Sequence, residues 1–123
     1  MQKWIDKAKG SISRIMQEFK TKIPFQSRVR IAVVCFRDFD CGNKRIAYHN
    51  FTTHAHLIEE FIGKQLAEGG EDIPEDLLGA LEAAYSLNIS TKELSLLNLV
   101  IMTDAPCHGK PYHDLMWDEY SEN

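Results

Sequence analysis

A three-layer α/β domain is the architecture this sequence predicts, and three observations predict it. Two near-continuous apolar runs, Val29 to Phe36 and Leu96 to Met102, read as strands buried on both faces. Helical periodicities with one apolar stripe precede the first run and fill the interval between the two. The second run stops abruptly at Thr103-Asp104-Ala105-Pro106, at the end of the strand where open α/β sheets bind ligands. With 123 residues the chain suffices for one domain, 1–123.

Residues 3 to 23 place Trp4, Ile5, Ala8, Ile12, Ile15, Met16, Phe19 and Ile23 at helical spacing, with Lys and Arg opposite. Gly10 weakens this helix by about 1 kcal/mol relative to Ala without breaking it, and Pro24 and Ser27 end it. Arg28 to Phe39 is the first strong strand. Asp40 to Asn43 is turn chemistry, and Lys44 to Phe51 is a more polar strand, so the pair reads as an antiparallel hairpin. The polar partner belongs at a sheet edge, where it can face water. Leu57, Ile58, Phe61, Ile62 and Leu66 predict a second helix from about Thr53 to Ala67, stopped by Gly69-Gly70. Asp72 with Glu75 three residues on is a capping-box pattern, with Pro74 tolerated in the first turn of a third helix running to Leu87. A polar loop, Asn88 to Glu93, leads into the second buried strand, in which Val100 is expected to be a packing residue. The tail beyond His113 is acidic and without a period.

Apolar content of 44% is enough for a sizeable core, and a formal net charge of −4 argues against a nucleic-acid binder. The Lys and Arg of the first 45 residues interleave with apolar positions and read as solvated faces. Three cysteines, Cys35, Cys41 and Cys107, cannot all pair and form no C-x-x-C, which fits reduced thiols in a cytoplasmic protein. No apolar run reaches the length of a membrane span, and the N-terminus has no secretory h-region.

Asp104 at a strand end and Asp72 at a helix start are oxygen donors that suit a hard cation such as Mg²⁺. Each also has a plain structural role: Asp72 as a helix cap, Glu75 and Asp76 as first-turn acids, Asp104 as a turn cap. Cys107, His108, His113 and Asp114 have the residue types of a zinc site. They lie on a loop with Gly109 and Pro111, however, and the better reading is a polar loop whose imidazoles hydrogen-bond locally. Cys35, inside a strand, and Cys107, without an acidic partner for a neighbouring His, make weak nucleophiles.

GGEDIPEDLLGALEAAYSL followed by LVIMTDAPCHGKPYH resembles the von Willebrand factor A-type domain, in the variant found with alpha-type protein kinases of protists. The matching residues are Gly69, Gly70, Asp72, Pro74, Glu75, Asp76, Gly79 and Leu81, then Asp104, Ala105, Pro106, His108, Gly109, Tyr112 and His113. Phe36-Arg37-Asp38 and Asp40 resemble the family's YRD-x-D. The resemblance covers essentially the whole chain and implies a Rossmann-like fold with a metal-dependent adhesion site. It also implies that the fold is incomplete. The family's central first strand, ending in D-x-S/T-G-S-M, would precede the first helix, making Met1 the counterpart of the motif's Met, and the family's last strands would follow the tail. Asp104 carries over as a metal ligand, with Asp72 or Asp76 in the region of the family's third-loop ligand. Mg²⁺ is the implied cofactor.

Three functions follow as expectations. The first is a non-catalytic module that binds a protein partner, with or without Mg²⁺. The second is a regulatory fragment of an alpha-type serine/threonine protein kinase. The third is a small metal-dependent hydrolase built on Asp104, His108 and His113. The chain has no Gly-rich phosphate loop, so no kinase activity is expected from it. A missing central strand would leave a sheet edge open to self-association.

Overall fold

The computed structural model describes residues 2–22, 28–66, 73–87 and 96–122. Helix α1 (Gln2–Lys22) is followed by β1 (Ile31–Phe36), a pair of 3₁₀ turns (Phe39–Lys44), β2 (Ile46–Thr52), α2 (Ala55–Gly63) and α3 (Leu77–Ser86). A short 3₁₀ turn at Lys110–Tyr112 closes the series. The mixed helix and strand composition expected of an α/β chain is therefore present, on a sheet of two antiparallel strands.

The hairpin forms as its sequence predicts. Val34 pairs with Tyr48, Cys35 with Ala47 and Phe36 with Ile46. Toward the other end, two steps along β1 from Val33 to Ile31 answer three along β2 from His49 to Thr52, so β2 carries one extra residue there. The link departs from a simple Gly-Asn turn. It is two 3₁₀ turns across a kink at Gly42, whose φ of 52° and ψ of −122° suit a residue without a side chain. The Arg37 N–H donates to Arg45 O at 2.8 Å and closes the hairpin below that loop.

The core is small. Ile12 of α1 meets Ile58 and Ile62 of α2, with Ile31, Val33 and Phe61 packed around them. Arg37 locks the end of α2 in place by donating to the Leu66 and Lys44 carbonyls and to Gln65 Oε1. Helix α3 packs on β1. Only Ala80 of α3 is buried, and Leu78 and Tyr85 are exposed.

Two sequence expectations are corrected. Residues 96–102 form no strand among the described residues, and Val100 is 76% exposed rather than buried. Leu96, Leu97, Leu99, Ile101 and Met102 are exposed with it. The physical reason is pairing. A strand needs a ladder partner for its amides and carbonyls, and the described sheet consists of β1 and β2 alone. The third helix also starts later than the capping-box reading had it. Its N-cap is Asp76, and Pro74 lies buried ahead of the helix instead of in its first turn. Asp72, Gly69, Gly70 and the Asn88 to Glu93 loop lie outside the described residues. No helix among the described residues is long and apolar enough to cross a membrane.

Candidate functional site

Three segments read separately in the sequence converge here. Asp38 leaves β1 in an extended conformation (φ −73°, ψ 167°) and is 1% exposed. Its Oδ1 accepts the Phe39 N–H at 2.6 Å, which starts the 3₁₀ turn, and the His108 Nε2–H at 2.7 Å. The segment before α3 meets the segment after Asp104 through a single parallel bridge between Glu75 and Cys107, with the Glu75 N–H donating to Pro106 O at 2.9 Å. Thus Asp38 and its neighbours, the Pro74-Glu75-Asp76 turn and the Pro106-Cys107-His108 loop share one corner.

Asp76 is committed to the fold. Its Oδ1 accepts the Gly79 N–H at 2.8 Å and caps α3. Its Oδ2 accepts no hydrogen bond and lies 3.4 Å from Arg45 Nε, while the Arg45 guanidinium also stands 4.9 Å over the Phe39 ring. The three-residue spacing from Asp76 to Gly79 has a steric cause. A Cβ on Gly79 would lie 2.7–2.8 Å from Asp76 Cγ and Oδ1, and closer still to Oδ2.

A cavity of about 40 Å³ lies among Phe39, Glu75, Asp76, Leu78, Cys107 and His108. It has room for a few waters and not for an organic ligand. Its lining surface is mostly apolar, with the carboxylates of Glu75 and Asp76 set into it. Burial pushes the Glu75 carboxyl up to about 7, and the negative charges of Asp38, Asp104 and Asp40 add to the effect. Its Oε2 is buried without a hydrogen-bond partner.

His108 is the hub. Its ring is 2% exposed, with Nδ1–H donating to Asp118 Oδ1 at 2.6 Å in addition to the bond to Asp38. Asp118 accepts three further bonds: the Gly109 N–H and the His113 Nε2–H on Oδ2, both at 2.9 Å, and the Tyr120 N–H on Oδ1 at 2.9 Å. His113 accepts the Leu115 N–H on Nδ1 at 3.2 Å. Burial opposes the charge on Asp118, but these donors outweigh it and hold the carboxyl far below the usual range. For His108, burial disfavours the imidazolium, while the hydrogen bonds and charges of Asp118 and Asp38 raise its pKa above 6.5. Gly109, with φ of 106°, makes the turn that points its N–H at Asp118.

The sequence candidates divide accordingly. His108 and His113 hydrogen-bond locally, as the polar-loop reading has it, and none of their ring nitrogens is left to activate water or bind zinc. Cys107 consequently has no neighbouring base in His108. Burial raises the Cys35 thiol, and burial together with Asp40 pushes Cys41 up to about 11, so neither is a ready nucleophile. Asp104 is exposed on the loop beyond residues 96–102, within electrostatic reach of Glu75. The orphaned oxygens of Glu75 and Asp76 have the charge a cation favours. Yet among the described residues no group of three or more His, Cys, Asp or Glu side chains could hold a metal. Asp76 is already divided between Gly79 and Arg45, so these residues do not by themselves make a Mg²⁺ site.

Sequence reading missed Asp118 and Tyr120 altogether. They lie in a tail without periodicity, and an acceptor ten residues from its histidine leaves no spacing signal.

No family model matches the chain, and no solved structure matches it. The chain is similar to the alpha-protein kinase vwkA of Dictyostelium discoideum, with 28% identity over 120 residues. That alignment takes in 98% of this chain and 19% of the kinase, so the chain spans about a fifth of the length of the curated relative it matches.

Proposed function

We propose that the chain is a non-catalytic protein-interaction module of the von Willebrand factor A type, of the kind that accompanies alpha-type protein kinases. The carrying observation is the convergence of the Asp38, Glu75–Asp76 and Pro106–His108 segments on one acidic corner. The similarity to vwkA along 98% of the chain supports the kinase association and favours the second reading, a regulatory segment of such a kinase. On this proposal the complete fold is a three-layer, Rossmann-like sheet, and residues 96–102 are a strand position awaiting a neighbour. Their exposed apolar side chains are also where self-association would begin. Asp104 is the proposed contact residue at the edge, with Mg²⁺ completing the contact only if further ligands join it. The chain itself performs no phosphoryl transfer or hydrolysis.

Two measurements test this reading. Purified protein is expected to turn over neither ATP nor a model ester; turnover abolished by His108→Ala would overturn it. Fusing an apolar strand that ends in D-x-S/T-G-S ahead of Met1 is expected to raise the melting temperature and to introduce Mg²⁺ binding that Asp104→Ala removes. An unchanged melting temperature and no Mg²⁺ binding would contradict the proposed fold.

A further inference from the structure

His108 joins parts of the chain that are distant in sequence, seventy residues from Asp38 and ten from Asp118. Each ring nitrogen faces a carboxylate oxygen, at 2.7 and 2.6 Å. A neutral imidazole has one N–H and serves one such acceptor; only the imidazolium serves both. All three side chains are at most 3% exposed, so a lost donor is costly to replace.

Several of the contacts that hold residues 113–122 meet at this point. Asp118 collects the Gly109, His113 and Tyr120 donors, and the Tyr120 ring lies 4.7 Å from that of Phe39 and 5.2 Å from that of His108. Phe39 and His108 are two residues of the cavity wall. The ties that Lys110 makes to the segment are peripheral. The Lys110–Glu122 ion pair is exposed, and such pairs contribute little. The Lys110 N–H reaches Ser121 O at a long 3.4 Å.

We propose that His108 is a proton-controlled clasp, which as the imidazolium holds residues 113–122 against the Phe39 wall of the cavity and on deprotonation releases them and opens the site. Deprotonation leaves one carboxylate oxygen facing a nitrogen lone pair in a buried place, its charged donor lost and only a backbone N–H, of Tyr120 on Asp118 or of Phe39 on Asp38, still on that oxygen. The groups that set the titration are Asp38 after β1, Asp118 and His113 in the terminal segment, and Glu75 before α3. Arg45, over Phe39, is the nearby cation and is engaged by Asp76. The clasp rests on this geometry alone, whether or not the corner docks a partner.

Hydrogen–deuterium exchange followed by mass spectrometry tests it, comparing peptides from residues 113–122 with those from the hairpin. Between about pH 6 and about pH 9, after correction for intrinsic exchange, protection of the terminal segment is expected to fall by about tenfold or more while the hairpin stays protected. Glu75→Gln should leave that pH dependence in place, because the clasp and not the neighbouring carboxyl controls it. His108→Gln should leave the segment unprotected at every pH. If that variant does not fold, Asp118→Asn serves in its place and should move release to lower pH, since one of the two charges holding the proton is gone. Protection unchanged across the range, simultaneous loss from hairpin and segment, or disappearance of the transition in Glu75→Gln would each overturn the clasp.

Discussion

Gly79 lies where the Asp76 carboxylate closes the first turn of α3, so that a β-carbon on one would occupy the space of the other. Gly79→Ala ordinarily gains about 1 kcal/mol in a helix interior. Here it should instead destabilise by about 1–3 kcal/mol, because the cap must break or the turn must shift. In an Asp76→Ala background the same change should become neutral or stabilising. Urea denaturation of the two single variants and the double variant measures the coupling, and additive effects would show that the two residues do not compete for this space.

Burial separates two aliphatic positions that look alike in sequence. Ile58→Ala should cost about 2–5 kcal/mol, since Ile58 is 0% exposed in the cluster shared by α1 and α2. Val100→Ala should stay within about 0.5 kcal/mol, as exposed substitutions do. A large loss at Val100 in the same denaturation experiment would mean that residues 96–102 are buried in solution.

The acidic corner makes stability fall with rising pH. Glu75 is raised to about 7, so between its ordinary value of 4.5 and that pH the folded chain binds more protons than the unfolded one. Stability therefore declines over that interval. His108, raised above 6.5, contributes stability that is complete below 6.5 and lost as pH climbs through its higher folded value. Asp118 acts in the opposite sense. Its depressed carboxyl favours folding above the ordinary value of 3.8, a contribution lost only in strong acid. Glu75→Gln should flatten the decline below neutrality and leave the one above it. Denaturation midpoints across pH check this, and an unchanged profile in the variant would remove Glu75 from the account.

Much of the scaffold was legible because the periodicity of α1 and the hairpin pattern of β1 and β2 are local signals. Ile12 and Met16 fall on the apolar stripe and are buried, whereas Ile15 and Phe19 of the same stripe are exposed, and β1, read as buried on both faces, is half-buried along its length because only β2 pairs with it. Residues 96–102 show the limit. Apolarity states that a segment prefers burial, but burial also needs a neighbour, and that is a property of the assembled sheet. The site was half legible for a related reason. Asp76 and His108 stand in motifs with fixed spacing, whereas Asp118 joins them through a contact with no sequence signature. Asp76 also shows one residue type carrying two readings, since the carboxylate offered as a metal ligand also caps α3 and stands beside Arg45.

The central claim is that one charged histidine ties the hairpin loop, the Cys107–Gly109 turn and the terminal segment into a single corner. Long-range proton–nitrogen NMR of the imidazole ring at neutral pH tests it most directly. Both His108 nitrogens should appear protonated at pH 7, with titration displaced above 6.5 and returned toward that value by Asp38→Asn. A neutral His108 ring at pH 7, titrating like a solvent-exposed histidine and indifferent to Asp38→Asn, would contradict the account.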